Sequence, residues 1–261
     1  MSRIPFRYRL YGVWAFLLLL FVGFFYTFDL DLGLIVGRVP SLLGLTLTRT
    51  GALQGAALTL FLSISSMAIS TVLAFLTAMG RLSRRALPYG VATFYTSFFR
   101  GTPFLLQILL IYVGLPQVGV VPSALFAGIA ALSLNGGAYF SETIRAGLLS
   151  VPVGQREAGM SLGLPRHVIF RKIVLPQAMR VILPPAASQF ISLLKDSSLV
   201  SIMGLWEIMY LSQAYGKTTY HFMEMLLAAS AIYWAMSLVV EVLQFRIETS
   251  LARGFQRLRS A

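Results

Sequence analysis

Charged and hydroxyl side chains interrupt an otherwise apolar stretch of the chain between residues 177 and 200. Lys195 and Asp196 are adjacent there, so on a helix their side chains point about 100° apart and do not simply neutralise each other. A charge at the centre of a bilayer costs roughly 2.5–3.5 kcal/mol on insertion scales, so each needs another partner, water or a bound solute. We therefore expect this segment to face a protein interior or a wet cavity. Its other candidate residues for contact with a polar solute are Gln189, Ser197 and Ser198.

Two further apolar stretches carry polar residues. Residues 86–114 are interrupted by the sequence RGTP at 100–103, and Pro103 predicts a broken or kinked helix because proline has no N–H. Two interpretations of Arg100 stay open, since its side chain either reaches the outer headgroups or lines a polar pathway. The residues that we add to the candidate pathway from these stretches are Arg100, Gln107 and Asn135.

Glu142 and Arg145 are three residues apart in the same apolar stretch as Asn135. At this spacing they share one face of a helix and pair with each other. Pairing lowers the cost of burying either charge, so we favour a structural ion pair over a functional role.

The amino-acid composition indicates the kind of environment in which these polar groups lie. Of 261 residues, 57% are hydrophobic and only 11% are charged, and the chain has no cysteine. A soluble protein of this composition would expose too much apolar surface, so we expect an integral membrane protein, and a soluble enzyme is excluded. The net charge of +12 does not indicate nucleic-acid binding, because the basic residues lie in short runs between apolar stretches.

The apolar runs predict an all-α, polytopic bundle of transmembrane helices. About 20 residues cross the hydrocarbon core as a helix, and the first run is too long for a signal peptide, so we expect it to be an uncleaved span. Residues 38–50 are expected to form a short amphipathic link outside the membrane. The six expected spans are 10–28, 51–79, 86–114, 122–149, 177–200 and 222–246.

The placement of lysine and arginine predicts the orientation. With the N-terminus inside, 16 of the 21 basic residues lie in the inner segments, namely 1–9, 80–86, 145–180 and 246–261. Such an excess is typical of cytoplasmic segments, so we expect both termini to be cytoplasmic.

The inner segment at 150–176 has a pattern of its own. Ser150 and Pro152 predict the start of a helix, and Gly163 followed by Pro165 predicts a stop and a new start. We expect two short helices in an L. On physical grounds alone, they would form a solvated connector on the membrane surface.

The spacing within this segment resembles the EAA motif of ABC importer permeases. Glu157-Ala158-Gly159 is followed after three residues by Gly163, and after nine more by Ile173, one residue and Leu175-Pro176. The one departure is the second alanine, which is Gly159 here. Further motifs resemble the polar amino-acid branch of the family: RGTP at 100–103 with Gln107, LSLN at 132–135, LPQA at 175–178 and LKDSSL at 194–199. The resemblance covers about residues 50–250.

The resemblance implies a type I importer core of five helices, here with one N-terminal helix added. It implies docking of the loop on two copies of an ABC ATP-binding subunit, pairing with a second permease as a homodimer or related heterodimer, and a periplasmic or lipid-anchored substrate-binding protein on the outer loops. The setting is the lipid of a bacterial inner membrane, and no nucleic acid takes part. The expected parts are an N-terminal helix and periplasmic link (1–50), the permease domain (51–250) with its EAA loop (150–176), and a cytoplasmic basic tail (251–261).

The same resemblance marks the residues that would couple transport to ATP hydrolysis. Small residues let a partner approach closely, and charged ones offer contacts at its rim. This chain has no G-x-x-x-x-G-K-[ST] loop, so ATP and Mg²⁺ belong to the partner subunit, and we expect neither a cofactor nor a metal here. The candidate coupling residues are Gly154, Gln155, Arg156, Glu157, Ala158, Gly159, Gly163 and Leu164.

Two other function classes compete with this interpretation. An ion-coupled secondary transporter of small polar solutes also uses interrupted helices with charges, but it predicts an internal repeat that this sequence does not show. An intramembrane hydrolase needs a motif such as H-E-x-x-H or G-x-S-x-G, and neither is present. We therefore expect a transporter subunit and no enzyme.

Overall fold

The fold is built from α-helices throughout the part of the chain that the computed structural model describes, residues 6–26, 28, 30–46 and 52–259. In chain order the helices are α1 (Phe6–Tyr26), α2 (Leu32–Leu42), α3 (Gly55–Arg81), α4 (Ala86–Gly101), α5 (Phe104–Leu109), α6 (Ala124–Leu149), α7 (Val153–Ser161), α8 (Arg166–Val168), α9 (Leu175–Asp196), α10 (Ile208–Thr219) and α11 (Phe222–Arg259). A π-helical turn and a 3₁₀ turn extend α5 to Val118.

Within these described ranges, three helices are long and apolar enough to cross a membrane: α3, α6 and the part of α11 at Phe222–Arg246. Helix α4 and the helix that starts at Phe104 are bent by 109° at the break between them. They make a fourth candidate span if the two are counted as one. The all-helical membrane fold is thus confirmed. The count of six spans stays a prediction, because α1 has a shorter apolar stretch, Tyr8–Phe24, and α9 carries many polar residues.

Helices α3 and α6 form the centre of the bundle. Their close approach depends on small residues, because a Cβ added to Gly136 would lie 2.8 Å from the Ser70 hydroxyl. The Ser70 hydroxyl also donates a hydrogen bond to the Ser133 carbonyl at 3.1 Å. From α4, Tyr95 donates to the Leu134 carbonyl at 2.5 Å, so α4 is fixed against the same part of α6.

The segment after α7 differs from the predicted L of two short helices. Helix α8 continues through a π-helical segment (Ile169–Val174) directly into α9, so the helical path runs from Arg166 to Asp196 without a break. Pro176 lies where the π-helical segment passes into α9, and the altered hydrogen-bond spacing of such a segment accommodates a residue without an N–H. Part of the expected outer link is also helical, since α2 covers Leu32–Leu42, whereas residues 47–51 lie outside the described ranges.

Helix α1 lies at the edge of the bundle. Its described side chains from Leu10 to Phe24 are exposed, as expected for a helix surrounded by lipid. An apolar gap of about 790 Å³ lies between α1, α2 and α11. The N-terminal helix is thus peripheral in the structure.

Candidate functional site

Helix α7 packs on the segment that leads into α9 through one glycine. Gly159 is buried, and a Cβ added there would lie 2.9 Å from Ile169 Cγ1 and 3.2 Å from Ile173 Cδ1. Both isoleucines belong to the π-helical segment that leads into α9. The one departure from the EAA pattern therefore allows a close approach between α7 and the start of the next helix.

Gly163 ends α7 in a left-handed backbone conformation with φ of +69°. The Leu164 N–H donates to the Gly159 carbonyl at 3.1 Å, and the Gly163 N–H donates to the Met160 carbonyl at 2.9 Å. These two bonds form a Schellman motif, in which glycine is favoured because it has no Cβ penalty at positive φ. The chain then turns to start α8, and Leu164 packs partly buried against the core below.

The two polar neighbours of Glu157 are turned towards their own chain. The Arg156 guanidinium donates to the Leu148 carbonyl at the end of α6, at 2.9 Å, and Arg156 is half-buried. Gln155 lies 3.5 Å from the Gln177 amide of α9. Helix α7 is therefore held to α6 through Arg156 and packed through Gly159 on the segment that leads into α9. The Arg156 guanidinium bonds within its own chain.

The opposite face of α7 is exposed. It carries Gly154, Glu157 and Ala158, which the sequence singled out, and the apolar side chains of Val153 (67% exposed) and Met160 (53%), which it did not. Leu162, directly after the helix, is 78% exposed. Such exposed apolar side chains are typical of an interaction surface. The spacing of positions 153, 157 and 160 by four and three residues is the signal that would have placed the two apolar residues on this face.

Three arginines surround Glu142. Arg145 lies 3.0 Å from its Oε2 atom, at the expected i, i+3 spacing. Arg81 at the end of α3 and Arg100 of α4 both contact Oε1, the latter at 3.2 Å. The Arg100 guanidinium also lies over the Tyr139 ring. Arg100 thus points among the helices, and the cluster joins α3, α4 and α6 with an excess of positive charge.

The buried amides of Gln107 and Asn135 are bonded at the break between α4 and α5. The Gln107 amide donates to the Phe99 carbonyl at 2.9 Å and to the Thr102 hydroxyl at 2.8 Å. Asn135 donates to the Gln107 side-chain oxygen at 3.0 Å and to the Phe99 carbonyl at 3.2 Å. These bonds satisfy groups that the break leaves without helical partners, so both amides support the bend near Pro103.

The polar residues at the end of α9 point to different places. Ser197 is fully buried and donates to the Leu194 carbonyl at 2.7 Å. Asp196 and Gln189 are half-buried. Lys195 and Ser198 line an open groove between α9 and α11 with a volume of about 460 Å³. The structure therefore brings these last two to one cavity and leaves Ser197 in the core.

A buried carboxyl group at the start of α10 was not found from the sequence. Glu207 caps α10 by accepting the Met209 N–H at 2.9 Å and the Tyr210 N–H at 2.7 Å, and it accepts the Tyr233 hydroxyl of α11 at 2.7 Å. Burial raises the pKa of Glu207 to about 7, although these three hydrogen bonds act in the opposite direction and lower it. No strong local signal marks it, because the usual N-cap residues are Ser, Thr, Asp and Asn rather than glutamate.

No group of three or more His, Asp or Glu side chains in the described ranges is close enough to hold a metal ion. The charged clusters above are instead ion pairs and hydrogen-bonded carboxyl groups. They are suited to holding helices together and to contact with a charged solute.

Comparisons with known proteins identify the family. Residues 70–253 match the family model described as "Binding-protein-dependent transport system inner membrane component". The arginine transport system permease protein ArtQ of Bacillus subtilis is 36% identical over 200 residues, which cover 76% of this chain and 91% of that protein. The octopine transport system permease protein OccM of Rhizobium meliloti is 40% identical over 213 residues, or 78% of this chain and 87% of that protein.

Solved structures agree with the sequence relatives. A crystal structure described as an amino acid ABC transporter with histidines is 33% identical, has a TM-score of 0.76, and covers 85% of this chain and 99% of that chain. An inward-facing MetNI methionine ABC transporter, 20% identical with a TM-score of 0.62, shares the fold over 75% of this chain and 92% of that one. The resemblance found in the motifs is confirmed. This chain belongs to the family of binding-protein-dependent transport system inner membrane components: it is a multi-pass permease subunit of an ABC importer whose ATP hydrolysis takes place on a separate subunit.

Proposed function

We propose that this chain forms part of the pathway for a polar amino acid and couples it to ATP hydrolysis through the exposed face of α7. The observation that carries the proposal is the position of α7, which is bonded to α6 and packed on the segment that leads into α9, while its other face stays exposed. A displacement of α7 by a partner that contacts this face also displaces α9, whose far end bears Lys195 and Asp196. Relatives named for arginine, octopine and glutamine transport support an amino acid as the solute.

The residues that contact the ATP-binding subunit are, in this proposal, those on the exposed face of α7. Gly154 and Ala158 allow close approach, Glu157 supplies a charged contact, and the apolar side chains of Val153 and Met160 supply buried area. The remaining coupling candidates, Gln155, Arg156, Gly159, Gly163 and Leu164, hold this face in place from behind.

The assembly that we propose contains two permeases, as a homodimer or a heterodimer, and two ATP-binding subunits. A substrate-binding protein, periplasmic or lipid-anchored, docks on the outer surface that includes α10. The chain divides into an N-terminal helix with its link (1–50), a permease domain (51–250) with the EAA loop (150–176), and a basic tail (251–261). In this proposal, helices α1 and α9 also cross the membrane, which gives six spans and places both termini inside. The apolar length of α1 and its exposed side chains support this topology.

The pathway candidates have unequal support. Lys195 and Ser198 line an open groove, and Asp196, Gln189 and Arg100 are at least partly accessible. Gln107, Asn135 and Ser197 are bonded within the chain, and their part is to shape the pathway rather than to contact the solute. The Glu142–Arg145 pair remains a structural pair, now with Arg81 and Arg100 beside it.

A charge reversal on α7 tests the coupling. In Glu157→Lys, we expect the permease to insert normally, to lose co-purification with its ATP-binding subunit, and to lose uptake of the labelled amino acid in proteoliposomes. The matched control is Arg85→Glu, an exposed charge reversal in the other cytoplasmic loop, which should keep both. Normal uptake and co-purification in Glu157→Lys would remove the coupling role from this face.

The energy source separates this proposal from an ion-coupled transporter. Uptake into proteoliposomes that hold an ion gradient but no ATP should be absent, because the chain has no coupling ion site in the proposal. Uptake that continues under those conditions would favour the secondary transporter.

A further inference from the structure

An apolar cavity of about 460 Å³ lies between α3, α6 and α9 and shares no lining residue with the groove that holds Lys195. Among its lining residues, Thr71 alone has a polar side chain, and the Thr71 hydroxyl donates to the Met67 carbonyl of its own helix at 2.7 Å. The cavity therefore offers no free side-chain donor to a hydrophilic solute, and an apolar group is what fits it.

The cavity opens to the outside of the bundle. Val72 and Leu76 of α3 and Met179 of α9 line it and are exposed, whereas Phe140 and Ile182 close it from behind and are buried. Because α3 is long and apolar enough to cross a membrane, the exposed side chains face an apolar environment. Close packing favours filling such a space with hydrocarbon, and an apolar cavity of only about 150 Å³ already holds a benzene molecule.

One end of the cavity lies at the segment that follows the EAA helix. The ring of Phe75, which lines the cavity, is 6.5 Å from the ring of Phe170 in the π-helical segment. Leu175, five residues further along, lines the cavity again. Arg171 and Lys172 lie between these two positions in the chain, so their backbone is at this end of the cavity. Arg171 precedes Leu175 by four residues, about one helical turn, which places it on the cavity side of the helix.

The positive charge at this end is not balanced by the helices around it. Arg171 and Lys172 are exposed, and no ion pair in the described part of the chain involves either of them. Residues 158–195 contain neither Asp nor Glu, and α3 also contains neither. Glu142 of α6 is already paired with arginines. The end of the cavity is therefore complementary to an anionic group.

The combination of an apolar slot and a cationic end matches an anionic phospholipid. The acyl chain of such a lipid is apolar along its length, and its phosphate group lies at the membrane surface, where basic residues between helices bind anionic headgroups. A second copy of this chain is less complementary, because it brings nine acidic residues against 21 basic ones.

We propose that this cavity binds one acyl chain of an anionic phospholipid, and that Arg171 and Lys172 bind the phosphate of the same lipid. The lipid then contacts α3, α6 and α9 together, beside the helix that carries the EAA motif. The inference depends on the membrane setting of the chain and not on which solute is transported.

The test uses a phosphatidylglycerol analogue with a photoreactive diazirine group in its acyl chain. The whole importer complex is placed with this probe in phosphatidylcholine nanodiscs, and mass spectrometry locates the labelled peptides. Labelling should fall on peptides that contain Val72 or Met179. Added unlabelled phosphatidylglycerol should reduce it by about fivefold or more, whereas the same amount of zwitterionic phosphatidylethanolamine should not. Equal competition by the two lipids would show contact with bulk lipid only and would overturn the proposal.

Neutralising the cationic end tests the headgroup contact. Arg171→Gln combined with Lys172→Gln should reduce labelling by about tenfold or more, because each basic residue adds to the attraction for an anionic lipid. The matched control is Arg84→Gln combined with Arg85→Gln, an exposed basic pair in the loop between α3 and α4, which should keep labelling within about twofold. Unchanged labelling in the first double variant would overturn the proposal.

Filling the cavity tests the site of the acyl chain. Ala186 lines the cavity, so Ala186→Phe should abolish labelling of the peptides with Val72 and Met179. Ala235→Phe is the matched control, since Ala235 is exposed on α11 and does not line this cavity. Equal labelling in the two variants would overturn the proposal. If Ala186→Phe does not assemble, the competition between lipids in the unchanged complex decides.

Two other outcomes would assign the cavity or its charges to a protein and overturn the proposal. Cross-linking between two permeases through Val72→Cys, without lipid labelling, would assign this face to the second permease. Normal lipid labelling in the double variant of Arg171 and Lys172, together with loss of co-purification of the ATP-binding subunit, would assign the two charges to that subunit.

Discussion

At the scale of single residues, the main distinction is between polar groups that are bonded within the chain and polar groups that are not. The sequence marks Gln107, Asn135 and Lys195 alike as polar residues in apolar runs. The structure separates them, because the two amides bond at the helix break and Lys195 faces a groove. This could not be predicted from local spacing, since the partners of Asn135 lie 28 and 36 residues away in the sequence.

Glu207 gives a prediction for the dependence of stability on pH. Its pKa is raised to about 7 in the folded protein by burial, above the ordinary value of 4.5. The folded state therefore binds the proton more tightly than the unfolded state, and this contribution to stability is full below about pH 4.5 and is lost as the pH rises through about 7. We expect the free energy of unfolding of the detergent-solubilised permease to fall between about pH 4.5 and 7, by at most about 1.4 kcal/mol per pH unit, and the melting temperature to fall with it.

Glu207→Gln is the matching control, because glutamine also accepts the N–H bonds that cap α10 but does not titrate. The pH slope of the melting temperature should be smaller in this variant than in the unchanged protein. Equal slopes in the two proteins would mean that Glu207 does not titrate in this range.

At the scale of elements, the helices meet where glycine removes a side chain. Gly147 of α6 faces α9, and a Cβ added there would lie 2.4 Å from Ile182 Cγ1 and 3.3 Å from the Ala178 carbonyl oxygen. The broken helix at Pro103 was predicted because proline interrupts a helix locally. The continuous path through Pro176 was not, because it depends on burial of Ile169 and Val174 against other helices, which no local signal reveals.

We expect Gly147→Ala to destabilise the permease, because the new methyl group forces α6 and α9 apart or Ile182 out of its position. The expected loss is about 1–3 kcal/mol, as for overpacking in a well-filled core, measured as the shift of thermal unfolding in detergent. Gly90→Ala in α4 is the matched control, since its Cβ would meet no atom within 4 Å. A Gly147→Ala protein as stable as the control would show that the α6–α9 contact is loosely packed.

At the scale of the whole molecule, the sequence predicted the class and family because both depend on signals that are local. The EAA spacing lies within residues 157–176, and the apolar runs are visible one at a time. Contacts between residues that are far apart in the sequence were harder to predict. Glu142 and Arg145 could be paired from their spacing, but the contact of Glu142 with Arg81 joins residues 61 positions apart.

The topology can be mapped directly, because the chain contains no cysteine. Single cysteines at Ser2, Thr46, Ser161 and Thr218 are to be tested with a membrane-impermeant maleimide in intact and in opened cells. With six spans, Thr46→Cys and Thr218→Cys react in intact cells, whereas Ser2→Cys and Ser161→Cys react only after opening. Labelling of Ser2→Cys and Thr46→Cys from the same side would show that α1 does not cross the membrane.

The unbroken helical path from Arg166 to Asp196 has a mechanical consequence. Its 31 residues extend for about 45 Å, with the EAA loop at one end and Lys195 near the other. By simple geometry, a tilt of about 5° about one end displaces the other end by about 4 Å. A modest rotation beneath α7 is therefore enough to alter the width of the groove beside Lys195.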